Sequence, residues 1–129
     1  MPDRLVVDAS AMVDLLLGSS RAEAIRNRLH GHELHAPAHF DAEILCALGR
    51  LERGGHITAA DVAERLQRLA AAPFERHPLP GLLSGAWERR HNFRLVDALY
   101  VELATDIDAP LITIDAGLAA AAPMAERIG

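Results

Sequence analysis

The sequence predicts an α/β fold, with a mostly parallel central sheet and helices on both of its faces. Short apolar runs alternate with stretches of helical periodicity along the whole chain. Two of those runs, Val6-Val7-Asp8-Ala9-Ser10 and Thr113-Ile114-Asp115-Ala116-Gly117, share one grammar: a buried strand ends in aspartate, and small residues lead into a helix. The length of 129 residues suits one hydrophobic core, so residues 1–129 are expected to form a single domain, without repeats or linkers.

In chain order, Arg4 to Val7 reads as a strand, and Ala9 to Leu17 as a helix ending at Gly18. Ser20-Arg21-Ala22-Glu23 matches a capping box for a second helix, which should stop near His30-Gly31. Leu34 to Pro37 is the next strand. The helix after it, from about Ala38 to Arg53, closes at Gly54-Gly55 and carries apolar residues on nearly every side, so a central position is expected. Thr58 to Asp61 resembles another cap, for a helix with Val62, Leu66 and Leu69 on its core face and Pro73 beyond its end. Phe74 to Leu79 alternates weakly, as a strand would, and Leu82 to Arg90 is helical around Trp87. Leu95 to Ile107 is strongly helical, Pro110 to Asp115 strand-like, Ala116 to Ala122 helical, and Arg127-Ile128 a very short last strand.

Composition removes several classes of function. All 13 basic residues are arginine, which rules out a lysine Schiff base, a P-loop lysine and the lysine of phosphoacceptor receiver domains. Ser10 stands where a haloacid-dehalogenase phosphatase needs the second acid of its Asp-x-Asp motif. The lone Cys46, within Ile44 to Leu48, reads as a buried small hydrophobe. Neither a signal h-region nor a membrane-length apolar run is present, so a cytoplasmic protein is expected. The net charge of −5 argues against a polyanionic substrate, unless some of the 18 acids bind divalent cations.

Four acids qualify. Asp8 and Asp115 end strands, and the carboxyl edge of a parallel sheet is where ligands bind; capping the following helices is the plainer reading of each. Glu43 lies among apolar helix neighbours, where a carboxylate needs a proton, a partner such as Arg50, or a cation. Asp41 is its rival, but about 200° of helix rotation separates the two, so only one can face the edge. Asp97 shares a helix stripe with Tyr100, Val101 and Ala104. Carboxylates converging from these positions would repel one another unless a divalent cation neutralised them. An all-oxygen donor set favours Mg²⁺ or Mn²⁺ over Zn²⁺. The histidines read as surface or core residues: His35 and His39 are four apart, but Pro37 interrupts any helix between them.

The order Val-Val-Asp-Ala-Ser, Ala-Glu-Ile-Leu, Asp-Ala-Leu-Tyr-Val-Glu-Leu-Ala, Leu-Ile-Thr-Ile-Asp resembles the PIN-domain ribonucleases, and within them the VapC-type toxins of bacterial toxin–antitoxin pairs. The resemblance implies a three-layer α/β/α domain and a Mg²⁺- or Mn²⁺-dependent endoribonuclease that leaves a 3′-hydroxyl and a 5′-phosphate. It implies Asp8, Glu43 and Asp97 as core metal ligands, Asp115 as a more peripheral acid, and Ser10 and Thr113 as supporting hydroxyls. It further implies an RNA substrate, a homodimer, and inhibition by a cognate antitoxin. The basic cluster Arg89, Arg90 and Arg94 is placed to contact RNA phosphates. The competing reading is a non-catalytic PIN-like module that binds RNA or protein, its acids serving only as helix caps.

Overall fold

A computed structural model describes residues 3–129. Five strands, β1 (Arg4–Val7), β2 (Glu33–Pro37), β3 (Phe74–His77), β4 (Leu111–Thr113) and β5 (Ala125–Arg127), form one sheet in the order β3-β2-β1-β4-β5. Every pairing is parallel, so the expected mostly parallel sheet is wholly so. The helices are α1 (Ala9–Leu17), α2 (Ala22–Leu29), α3 (Phe40–Arg53), α4 (Ala59–Ala71), α5 (Pro80–Glu88), α6 (Leu95–Asp106) and α7 (Ala116–Ala121).

Alternation along the short strands distributes the core over both faces of the sheet. Leu5, Val7 and Ile112 pack with Ala11 of α1 and with Ile25 and Leu29 of α2. Val6 and Leu111, one residue out of phase, join a larger cluster containing Tyr100, Val101 and Ala104 of α6. The chain builds outward from β1 through β2 to β3, then returns to place β4 on the other side of β1. The two directions of winding diverge between β1 and β4, and that divergence opens a crevice beyond their carboxyl ends.

Local chemistry accounts for several element ends. Gly18, at φ 68, adopts the left-handed conformation that closes α1. Thr58 and Asp61 form the expected capping box of α4. Four expectations need correction. Ser20 does not cap α2: the residue before that helix is Arg21, without a side-chain cap, and Ser19 Oγ accepts from the Arg21 amide. The α3 helix is not central, because only Phe40, Ile44 and Leu48 are buried while Leu45 is 52% exposed. Cys46 is therefore exposed, on the face turned away from that stripe. The last strand forms two residues earlier than expected, and its edge is pinned by a two-point ion pair from Arg28 of α2 to Glu126.

Candidate metal centre

Asp8 follows β1 directly and Asp115 follows β4 after Ile114, so the topology places both at the crevice. Each caps a helix. Asp8 Oδ1 accepts from the Ala11 amide at 2.9 Å, and Asp115 Oδ1 from the amides of Gly117 and Leu118 at 2.8 and 3.1 Å. Capping and membership of a site prove compatible, since a cap occupies one carboxylate oxygen and leaves lone pairs over.

Asp8 is the most constrained of the four acids, only 5% exposed. Ser10 Oγ donates to its Oδ1 at 2.7 Å, and the fully buried Thr113 hydroxyl donates to its Oδ2. Thr113 Oγ1 in turn accepts from the Asp115 amide at 3.0 Å, so one hydroxyl ties both strand ends together. Burial raises the Asp8 pKa above the ordinary carboxylate value; the hydrogen bonds from Thr113, Ala11 and Ser10 oppose that rise, and the nearby Asp97 carboxylate adds to it.

Glu43 is half-buried on the first turn of α3. The Tyr100 hydroxyl donates to its Oε1 at 2.7 Å, and His39 Nε2 lies 3.2 Å from the same oxygen. Burial pushes the Glu43 carboxyl up, but the hydrogen bonds from His39 and Tyr100 together with the charges of His39 and Arg94 leave it below its ordinary value. Tyr100 itself is held protonated by burial and by the Glu43 carboxylate. The ion pair to Arg50 that the sequence allowed for Glu43 does not form among the described residues. Asp41 faces elsewhere, as its helical phase requires, and takes a two-point contact from Arg76 at 3.0 and 3.1 Å.

Asp97, on the first turn of α6, accepts from Arg94 Nε at 3.0 Å and Nη2 at 3.3 Å. Hydrogen bonding to Asp97 and its charge, with those of Asp115 and Glu43, raise the Arg94 pKa. One guanidinium therefore stands in the field of three of the four acids. Asp97 and Asp115 line one hollow of about 250 Å³ with Arg94, and Ser10 and Glu43 line a separate one of about 310 Å³ with Asp14 and Arg50.

The structure thus brings Asp8, Glu43, Asp97 and Asp115 to one edge, with Ser10 and Thr113 fastening Asp8. It does not bring Arg89 and Arg90 there: Arg89 is bonded to Glu102 and Thr105, and Arg90 stacks on the Trp87 ring. Sequence reasoning missed His39 and the hydroxyl of Tyr100 as partners of Glu43. The i, i+4 spacing of His39 and Glu43 on α3 was the available signal for the first.

A family model for the PIN domain matches residues 5–123. The chain belongs to the PIN-domain family. Among curated relatives, this PIN domain is 54% identical over 129 residues to "Ribonuclease VapC3" of Mycobacterium tuberculosis, covering 99% of this chain and 94% of the relative. Among solved structures it resembles a toxin–antitoxin complex from Klebsiella pneumoniae at a TM-score of 0.72, with 16% identity over 97% of this chain and 98% of the other. It also resembles Mycobacterium tuberculosis VapC20, described as a sarcin–ricin loop cleaving toxin, at a TM-score of 0.68, with 17% identity over 91% and 94% of the two chains. The three-layer architecture expected of the family is the one observed.

The donor set of this PIN domain suits a hard divalent cation. Four carboxylates supply only oxygen, and the Asp97 charge adds to the cost of ionising the buried Asp8. A dication placed among them would relieve that repulsion, a role Arg94 fills only at the Asp97 side.

Proposed function

We propose that this PIN domain is a divalent-metal-dependent endoribonuclease and the toxin of a toxin–antitoxin pair. What supports the reading is the placement of Asp8 and Asp115 at the β1/β4 edge, with Asp97 in the field of Asp8 and with Arg94 in that of Asp97, Asp115 and Glu43, in a chain 54% identical to a named ribonuclease. Asp8, Glu43 and Asp97 are the residues that would hold Mg²⁺ or Mn²⁺, with Asp115 at the periphery. Such an ion, when bound, lowers the pKa of water and stabilises the oxygens of an in-line phosphodiester displacement.

The protein's own part is positioning. Ser10 and Thr113 hold both Asp8 oxygens in place, so that this carboxylate meets its ligand without reorganising. Tyr100 and His39 do the same for one oxygen of Glu43 and leave the other open. Arg94 is 73% exposed at its side chain, so it can leave Asp97 for a substrate phosphate at little cost. Arg89 and Arg90 are secondary candidates for phosphate contacts, since both would first have to release their present partners.

The reading extends to a cytoplasmic protein that meets cellular RNA and an antitoxin. The acidic crevice would suit a cationic antitoxin side chain. No described helix is long and apolar enough to cross a membrane. A homodimer is part of the same proposal. Leu83, Trp87, Leu95 and Val96 are 54%, 55%, 48% and 40% exposed around one apolar hollow, a concentration that a monomer rarely leaves uncovered.

The deciding experiment is cleavage of total cellular RNA by purified, antitoxin-free protein with Mg²⁺ or Mn²⁺, with EDTA, and with Asp97→Asn. Loss of one ligand charge should lower kcat/KM by about 100-fold or more, on the order of 2.7 kcal/mol of transition-state stabilisation. A folded Asp97→Asn variant that cleaves as well as the parent, or a parent with no metal-dependent cleavage, would return the chain to the non-catalytic module.

A further inference from the structure

A second group of side chains able to ligate a metal lies at the β2–β3 edge of the sheet and shares no residue with the acidic crevice. The β2–β3 register pairs His35 with Glu75 and Pro37 with His77, and β alternation turns Glu33, His35, Glu75 and His77 to the same face. His35 Nδ1 lies 2.8 Å from His77 Nε2 and 3.5 Å from a Glu75 oxygen, and one ligand atom from each of the three residues falls within 4.8 Å of the others. His35 Nε2 meets Glu33 Oε1 at 2.9 Å.

We propose that His35, Glu75 and His77 form a binding site for a borderline divalent metal, Zn²⁺ foremost, with Glu33 orienting His35 from behind. The Glu33 carboxylate favours the proton on Nε2, which frees the Nδ1 lone pair on the side facing His77 and Glu75. This is the carboxylate–histidine–metal arrangement that fixes a ligand's tautomer and raises its basicity. Tetrahedral zinc with bonds of about 2.0–2.1 Å sets its ligand atoms about 3.3 Å apart. The two separations from His35, 2.8 and 3.5 Å, bracket that value, and the third lies within 4.8 Å, so side-chain adjustment alone closes the site on the ion. Two imidazoles and one carboxylate are the donor set for zinc and its neighbours, whereas the oxygen-only crevice suits magnesium.

The site's consequence is mechanical. β3 is a four-residue edge strand whose one strand partner is β2, and its side of the sheet is otherwise tied down by Arg76 and Phe74. An ion shared by His35 of β2 and by Glu75 and His77 of β3 would staple that edge to the sheet. His35 is almost completely buried and Glu75 is 65% exposed at its side chain, so the fourth coordination position opens to solvent on the Glu75 side.

The test uses full-length protein carrying Asp8→Asn and Asp97→Asn, so that the crevice no longer competes for metal, titrated with Zn²⁺ by calorimetry and with Co²⁺ by visible spectroscopy. Expected are one Zn²⁺ per chain, a cobalt spectrum of tetrahedral intensity, and loss of both on adding His77→Ala. Glu33→Gln, which leaves all three ligands in place, should weaken zinc by about 10–100-fold. Should His77→Ala fail to fold by circular dichroism, Glu75→Gln at an exposed position decides, with at least tenfold weaker binding expected. Zinc uptake unchanged by Glu75→Gln and by His77→Ala, or no uptake in the crevice-disabled protein, would overturn the site and leave a plain hydrogen-bonded chain Glu33–His35–His77. Nuclease activity does not enter the readout, so the result stands apart from the proposed function.

Discussion

Thr113 carries more of this structure than its size suggests, and replacing it separates its roles. Thr113→Val keeps the shape of a fully buried side chain but removes one hydroxyl that donates to Asp8 and accepts from the Asp115 amide. A hydrogen bond to a charged group contributes about 1.5–3 kcal/mol, and a backbone amide left without a buried partner costs on the order of 1 kcal/mol more. The added methyl returns up to about 0.8 kcal/mol through apolar burial. The net expectation is a loss of about 2–3 kcal/mol, which for a chain of this size lowers Tm by roughly 8–12 °C. Urea unfolding followed by circular dichroism, in EDTA so that metal does not contribute, measures it directly. Thr113→Ser restores the hydroxyl and should recover most of the loss, whereas in an Asp8→Asn background the cost of Thr113→Val should shrink by at least about 1 kcal/mol. A Thr113→Val variant within about 0.5 kcal/mol of the parent, or a serine variant as damaged as the valine one, would refute the claim that Thr113 braces Asp8.

Three further outcomes follow from the packing. Gly85 lies where α5 and α6 meet, and a β-carbon there would collide with the end of the Glu102 side chain that Arg89 binds; Glu102 swings aside only by giving up that ion pair, so in denaturant unfolding Gly85→Ala should forfeit its helix-propensity gain of about 1 kcal/mol and stay within about 1 kcal/mol of the parent. Glu126 has its pKa lowered first by the hydrogen bond from Arg28, so its contribution is present above its ordinary value of 4.5 and is lost as pH falls through the lower folded value. Because that pair is half-exposed, unfolding at neutral pH should show a difference between parent and Glu126→Gln below about 1 kcal/mol, vanishing in acid and shrinking in salt. Trp87→Arg introduces a charge into the exposed apolar patch and should weaken self-association at least tenfold by sedimentation velocity; an unchanged association state would move the dimer interface elsewhere.

The strand-to-helix grammar at Asp8 and Asp115 was legible because it is local: β-branched residues, an aspartate and small residues in sequence define both a strand end and a helix cap. Helix α4 was legible for the same reason, through its Thr58/Asp61 box and Pro73. Burial was less so. The apolar run around Cys46 looks uniformly hydrophobic in sequence, yet α3 has no second layer over its outer side, and Leu45 and Cys46 remain exposed. The cap of α2 was misread because Ser19 and Ser20 are chemically equivalent, and only the turn geometry selects between them.

The acids could be picked out, and the family resemblance added Ser10 and Thr113, but which group restrains which acid could not be read from the sequence. Thr113 meets Asp8 across 105 residues, and Tyr100 meets Glu43 across 57. Those pairings depend on strand order and on the helical phase of α6 against α3, quantities that no single segment encodes. The arginines make the same point. Arg89, Arg90 and Arg94 form one basic cluster in sequence, yet a turn and the start of α6 send them to Glu102, Trp87 and Asp97 in that order. Only Arg94 reaches the acids, and it does so through the i, i+3 step from the residue before α6 to that helix's first turn. Charge density along the chain therefore overstated the basic surface near the crevice, whereas helical phase picks Arg94 out of that cluster as the cation placed to exchange a carboxylate for a phosphate.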